Sequence, residues 1–172
     1  MKALSCAVAV VFAGMFAAQV NAQEIPKPGP EHEFLKKHEG DWTITMKAGG
    51  MESKGTVKYK MDLGGLWLAS SLECDLGGMK FSGRGFDTYD AAKKKYVSVW
   101  IDSMGTAPMI MEGTYDKEKK SLTMTGDGPG PDGKPAKWRS VSKYPDTDTI
   151  TFDMFVGDGK EPMFTVTYKR KK

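Results

Sequence analysis

From Asp41 to Arg170 apolar and polar residues alternate with a period of two, in runs separated by Gly, Asp, Pro and Lys. A period of two places alternate side chains on opposite faces of a strand, and turn formers every 8–14 residues or so set the strands in series. The pattern predicts strands near 41–48, 55–63, 66–75, 79–89, 95–104, 108–115, 121–127, 135–144, 149–156 and 162–170. Ahead of them Pro30 suits a first helical position, Glu31 and Glu33 suit a first turn, and Gly40 is a stop, so a short helix is expected over 31–38. Residues 23–30 hold three prolines and read as an extended leader. No crossover helices separate the strands, which implies an all-β, antiparallel, up-and-down meander, and about ten strands suffice to close one into a barrel.

Two hairpins share a pattern, Tyr89-Asp90 with Lys93 to Lys95 and Tyr115-Asp116 with Lys119-Lys120. A four-residue turn in the second pairs Asp116 with Ser121 and puts Met109, Met111, Gly113, Tyr115, Leu122, Met124 and Gly126 on one face, all apolar, aromatic or glycine. The same turn in the first pairs Asp90 with Lys95, setting Gly83 opposite Asp102 and Gly85 opposite Trp100. Glycine opposite an indole leaves it room. A short turn at Gly105-Thr106 would pair Met104 with Ala107, so that Trp100 faces Met111 and Asp102 faces Met109. The opposite face of the same strand, Val97, Val99 and Ile101, is also apolar and requires a cover, either the 31–38 helix or a second subunit. The hairpins at 144–150 and 156–161 have no register fixed by pattern.

The amino terminus is of another kind. Lys2 precedes an apolar run from Ala7 to Ala18, and Val20-Asn21-Ala22 offers small residues for cleavage after Ala22. This reads as a secretory signal over 1–22, which implies an exported protein, periplasmic or secreted, with 31–172 as one barrel domain and no integral membrane segment after cleavage. Two of the 12 methionines (Met1, Met15) and one of the 2 cysteines (Cys6) leave with the signal. Cys74 then has no intrachain partner and reads as a buried small hydrophobe. Lys+Arg of 25 against Asp+Glu of 22 is too even for a nucleic-acid footprint or a polybasic membrane anchor. The lysine groups at 93–95, 117–120 and 169–172 read as solvated turns and tail.

Gly40-Asp41-Trp42, straight after the helix, resembles the G-x-W opening of lipocalin-like (calycin) barrels, whose terminal basic residue is matched by Lys169 or Arg170. The stretch Gly83-Arg84-Gly85, Tyr89-Asp90, Lys94 to Val97, Trp100 to Gly105 and Glu112 to Asp116 resembles the domain-of-unknown-function 1579 family. The likeness continues through Gly126-Asp127-Gly128, Arg139-Ser140-Val141 and Thr167 to Arg170. It spans 31–170 and implies a lipocalin-like barrel in a bacterial exported protein, with no activity and no residue roles attached.

The sharpest constellation is Trp100, Asp102, Met109, Met111 and Met124 with Gly83 and Gly85 opposite. Facing inward, it makes an apolar, polarizable lumen with one carboxylate, suited to a small apolar or amphipathic ligand, with Trp42 and Trp100 as aromatic walls and Asp102 as the orienting group. Two other readings stay open. One is an acid–base hydrolase or isomerase in the same lumen using Asp102 or Glu112. The other is a filled barrel, with Asp102 bonded to Arg139, Arg84 or a backbone amide, whose outer face mediates dimerisation, so that both monomer and homodimer are admitted. Asp102 and its neighbour Ser103 point to opposite faces and cannot cooperate, and Asp153 finds no partner by spacing, so no catalytic residue is assigned. No metal or cofactor is expected. Met109-x-Met111 lacks the neighbouring Met or His that copper(I) would use. The loop at 126–133 lacks the ligand ladder of a calcium loop. His32 and His38 stand six residues apart, on different sides of a helix: His32 is read as solvated and His38 as a charged partner of the helix C-terminus.

Overall fold

The structure is a computed structural model in which residues 25–172 are described. The expected signal and the first leader residues lie outside that range. One helix, α1 (Pro30–Lys36), precedes ten strands: β1 (Gly40–Ala48), β2 (Met51–Asp62), β3 (Trp67–Leu76), β4 (Met79–Asp90), β5 (Lys95–Asp102), β6 (Met109–Asp116), β7 (Ser121–Pro129), β8 (Pro135–Lys143), β9 (Thr149–Val156) and β10 (Phe164–Arg170). Each strand pairs antiparallel with the next, and β1 pairs β10, so the meander closes into a barrel. All ten predicted strands are present. The helix stops before the expected 38 because His38 N–H turns back to the Leu35 carbonyl and Gly40, at φ 122°, redirects the chain into β1.

The two repeated hairpins have the registers read from sequence, Asp90↔Lys95 and Asp116↔Ser121. In each, the aspartate carboxylate accepts two turn amides, from Ala92 and Lys93 or from Glu118 and Lys119. Lys94 and Lys120 then take positive φ, 54° and 47°, and return the chain to the ladder. The β5–β6 register differs from expectation: Trp100 pairs with Met109 and Ser98 with Met111. The connection is the whole of Ser103–Pro108 and not a tight turn at 105–106. Asp102 Oδ1 accepts the Met104 amide (2.9 Å) and starts the loop early, while Pro108 has no N–H to extend the ladder. The slip is two residues, so every side chain keeps its face.

Helix α1 plugs one end of the barrel. Leu35 is buried there, and the Phe34 ring lies 4.3–5.4 Å from those of Tyr96, Tyr115, Tyr144 and His38. The helix therefore does not cover the outer face of β5. Ile101, with its outward neighbours Phe86 and Ile110, remains exposed.

Arg170 fastens the plug. It pairs across the closing seam with Trp42, and its guanidinium lies 4.2 Å from the Trp42 ring. It donates to the carbonyls of Glu39 (2.5 Å), Lys37 (2.7 Å) and Thr147 (3.2 Å), while Trp42 Nε1 donates to His38 O (2.9 Å). A Cβ at position 40 would come within 3.1 Å of Arg170 Nη1, a second reason for glycine there. Of the two basic residues that the lipocalin resemblance offered, Arg170 is the one on the tryptophan. Arg170→Met should lower the unfolding free energy by about 2–3 kcal/mol, because several carbonyls lose a charged donor at once. Arg170→Lys should recover less than half of that, since an ammonium cannot reproduce the guanidinium fork. Urea unfolding of the two variants measures both.

Candidate functional site

Strand alternation directs Trp42, Ile44, Met46, Val57, Tyr59, Leu72, Phe81, Asp87, Trp100, Met111, Met124, Trp138, Phe152 and Tyr168 into the barrel. Gly83 and Gly85 form a cradle for Trp100. A Cβ on Gly83 would overlap the indole, and one on Gly85 would lie 3.2 Å from its Cε3 and collide with Ser70 Oγ. Trp100 Nε1 donates to Asp102 Oδ2 at 2.9 Å. Both carboxylate oxygens of Asp102 are thus engaged, one by the indole and one by the Met104 amide. Asp102 fixes the indole plane and does not stand free in the lumen. Met111 and Met124 pack in the same buried cluster, with Met109 beside them.

The structure does not bring Trp42 to this group. It is 1% exposed, lies at the helix-capped end in the second buried cluster, and has its ring against Arg170 and its N–H on the His38 carbonyl. It offers no surface as a lumen wall. Glu112 lies outside the barrel, opposite Val97, hydrogen-bonded to Lys93 and 3.7 Å from Lys95, and these lysines hold its carboxyl below the usual range. It has no place in lumenal chemistry. His32 is buried, with Nδ1 accepting the Gly29 amide at 3.0 Å, and is not solvated. His38 is buried as well. Desolvation, aided by the charges of Arg170 and Lys37, lowers it to about 4, so it is neutral at physiological pH and is not a charged dipole partner. Cys74 is buried as expected, its thiol pushed up by burial and 3.5 Å from the Lys54 carbonyl. The Asp132 carboxylate in the glycine-rich loop accepts the Lys134 amide of its own turn. Among the described residues no three His, Cys, Asp or Glu converge as metal ligands.

A polar group in the helix-capped half of the lumen went unread in the sequence. Asp87 faces inward opposite Ser98. Tyr59, Tyr144 and Tyr168 lie close enough for its charge to act on each of them. Burial pushes Asp87 up to about 6, and raises Tyr168 to about 12 and Tyr59 well above its ordinary value. The alternation that put Gly83 and Gly85 inside also puts Asp87 inside, two residues on, so its signal was available.

These groups are deep in the fold, yet Tyr59, Asp87, Ser98, Trp100, Met109, Tyr144, Phe152 and Tyr168 are only half-buried. Each of these inward-facing residues keeps part of its surface accessible. An open cleft of about 490 Å³ lies at the far rim, lined by Gly83 and Asp102 of the Trp100 cradle together with Ser103 and Pro108. Trp138 also points inward. It is 7% exposed, and its Nε1 finds no acceptor among the described residues.

A closed, helix-plugged antiparallel barrel with a tryptophan–arginine seam belongs to the lipocalin-like class of all-β folds. The chain is a member of the family described as Protein of unknown function (DUF1579), whose sequence profile matches residues 27–170. Among solved structures it is similar to the crystal structure of Rv2717c from M. tuberculosis, with a TM-score of 0.61 and 15% identity over 84% of this chain and 99% of that one. It also matches a redesigned β barrel at a TM-score of 0.45 and 16% identity, over 80% and 95% of the two chains. No curated protein matches it. The first structural likeness bears out the barrel and carries nothing about activity.

Two interior groups titrate in opposition. Asp87 is raised from 3.8 to about 6, so its contribution to stability is full below pH 3.8 and is lost as pH rises through 6. His38 is lowered from 6.5 to about 4, so its contribution is full above pH 6.5 and is lost as pH falls through 4. Between those limits the two slopes oppose each other. Asp87→Asn should stabilise the protein near pH 7 by on the order of 2 kcal/mol, a gain that vanishes toward pH 4. His38→Gln should leave a protein whose stability rises as pH falls from 6.5 to 4. Thermal unfolding across that range tests both signs.

Proposed function

We propose that the protein is an exported binding module whose lumen takes a small apolar or amphipathic molecule. The observation that carries the reading is the accessible surface retained by inward side chains of a closed barrel, Trp100, Met109, Phe152 and the three tyrosines among them. Trp100 supplies a flat wall held by Asp102. Met109, Met111 and Met124 supply unbranched, polarizable contacts that adapt to ligand shape, and Gly83 and Gly85 leave the indole its place. Export rests on the leader at 1–22. No helix among the described residues is long and apolar enough to cross a membrane. The outer surface carries Lys58, Glu73, Arg84, Lys95 and Glu112, the reverse of the apolar outer band of a membrane barrel.

Native mass spectrometry of protein isolated from producing cells should show a retained small molecule on a chain that begins at Gln23. A bare chain that also leaves Trp100 fluorescence unchanged by apolar probes overturns the binding reading, and a chain retaining its first residues overturns export. With the neutral dye Nile red, Gly83→Ala should weaken binding by about fivefold or more, because the displaced indole enters the lumen, a steric change worth about 1 kcal/mol or more. Ile101→Ala, on the outer face, should leave the affinity unchanged.

A further inference from the structure

The lumen has a sign. The register turns only three charged side chains of the strands inward: Asp87, Asp102 and Arg170. Arg170 is committed to the carbonyls of Glu39, Lys37 and Thr147, to Asp148 (3.3 Å) and to the Trp42 ring. Asp102 is committed to Trp100 and to the Met104 amide. Asp87 alone has no cation. Its strand neighbours are Ser98 and Leu68, and Tyr59, Tyr144 and Tyr168 are near enough to feel its charge. The basic groups nearest the plug do not relieve this: His38 Nδ1 is engaged by the Leu35 carbonyl, and His32 Nδ1 by the Gly29 amide.

An isolated carboxylate away from bulk water is unfavourable unless a counter-ion joins it, and aromatic rings placed around it favour a cation a second time. A carboxylate-bearing ligand would meet like charge and no free donor cation. A second, independent group points the same way about occupancy. Trp138, inward on β8 opposite Gly126 and Val156, is buried and its N–H has no acceptor among the described residues. Gly128 lies beside the indole, where a Cβ would stand 3.4 Å from Nε1. A buried donor without an acceptor costs about 1–3 kcal/mol, which an oxygen on a bound molecule would offset.

We propose that the lumen is selective for an amphipathic amine, whose ammonium pairs with Asp87 within the tyrosine rings, whose apolar body lies along Trp100, Met111 and Met124, and whose oxygen accepts from Trp138. The proposal rests on the lumen-binding reading and names the ligand class for it. It excludes fatty acids and other anionic amphiphiles.

The test uses the mature chain at pH 7.5 and three probes of equal chain length, octylamine, octan-1-ol and octanoate, by titration calorimetry. Octylamine should bind at least about tenfold more tightly than octanol, and octanoate most weakly of the three. In Asp87→Asn, which preserves shape and is expected to fold at least as well, the preference for the amine should disappear while octanol binding remains. With 8-amino-1-octanol as probe, Trp138→Phe should reduce affinity by about fivefold, and octylamine should not notice the change. Equal binding of amine and alcohol, tighter binding of octanoate, or a preference that survives Asp87→Asn overturns the ammonium site and leaves the lumen reading standing. Binding of none of the probes overturns both.

Discussion

The pairing of β1 with β10 is the constraint on which the rest depends. Ten strands in series have two free edges unless the ends meet, and an unpaired edge both leaves backbone groups unsatisfied and invites other chains. Here the seam runs from Trp42↔Arg170 to Ala48↔Phe164. Arg170 makes it more than a ladder. The same guanidinium that covers the first tryptophan of the barrel holds the last carbonyls of the helix region, so closing the sheet and seating the plug are one event. Removing the cation would loosen both, and the lumen would then open toward solvent at the end where its polar groups lie.

The plug in turn explains why the interior has two halves. Phe34, Leu35 and His38 cap a floor of tyrosines, serines and Asp87, and Trp100 with its two glycines lies toward the far rim. His38 stays neutral because it is sealed between Phe34, Tyr144 and the Arg170 side of the seam. Its ring is part of the packing, and its polar edge is turned back to the Leu35 carbonyl. Burial therefore decided its charge, outweighing the helix terminus, whose effect is worth less than about 1 kcal/mol at an ordinary surface.

The architecture was legible in the sequence because it depends on local rules: alternation, aspartate-initiated turns and glycine opposite an indole. Gly83↔Asp102 and Gly85↔Trp100 could be read from one turn length. What was not legible depends on loops and depth. The β5–β6 register turned on a side-chain bond from Asp102 to Met104, which no periodicity encodes. Trp42 shared the inward parity of Trp100, but parity does not say how far along the barrel a residue lies or what already covers it. Glu112 was assigned to a lumen that its own alternation excludes, since Met111 and Gly113 face inward on either side. Asp87 shares the inward parity of Gly83 and Gly85, but parity alone does not mark a buried carboxylate.

That omission matters because Asp87 is the residue a barrel built only for stability would not keep. Asparagine has the same shape and avoids the desolvation that pushes the carboxyl up to about 6. The fold already has alternatives to hand, since Ser140 and Ser142 occupy inward positions without charge. Trp138 presents the same contradiction, because a phenylalanine would fill its space with no donor left over. A single unfavourable group inside a protein is compatible with drift, given that folds sit above a stability threshold with a little to spare. Two in one interior, one lacking a cation and the other an acceptor, are what the proposed amine would complete. On that proposal, stability given up in complementary ways marks where the ligand would sit.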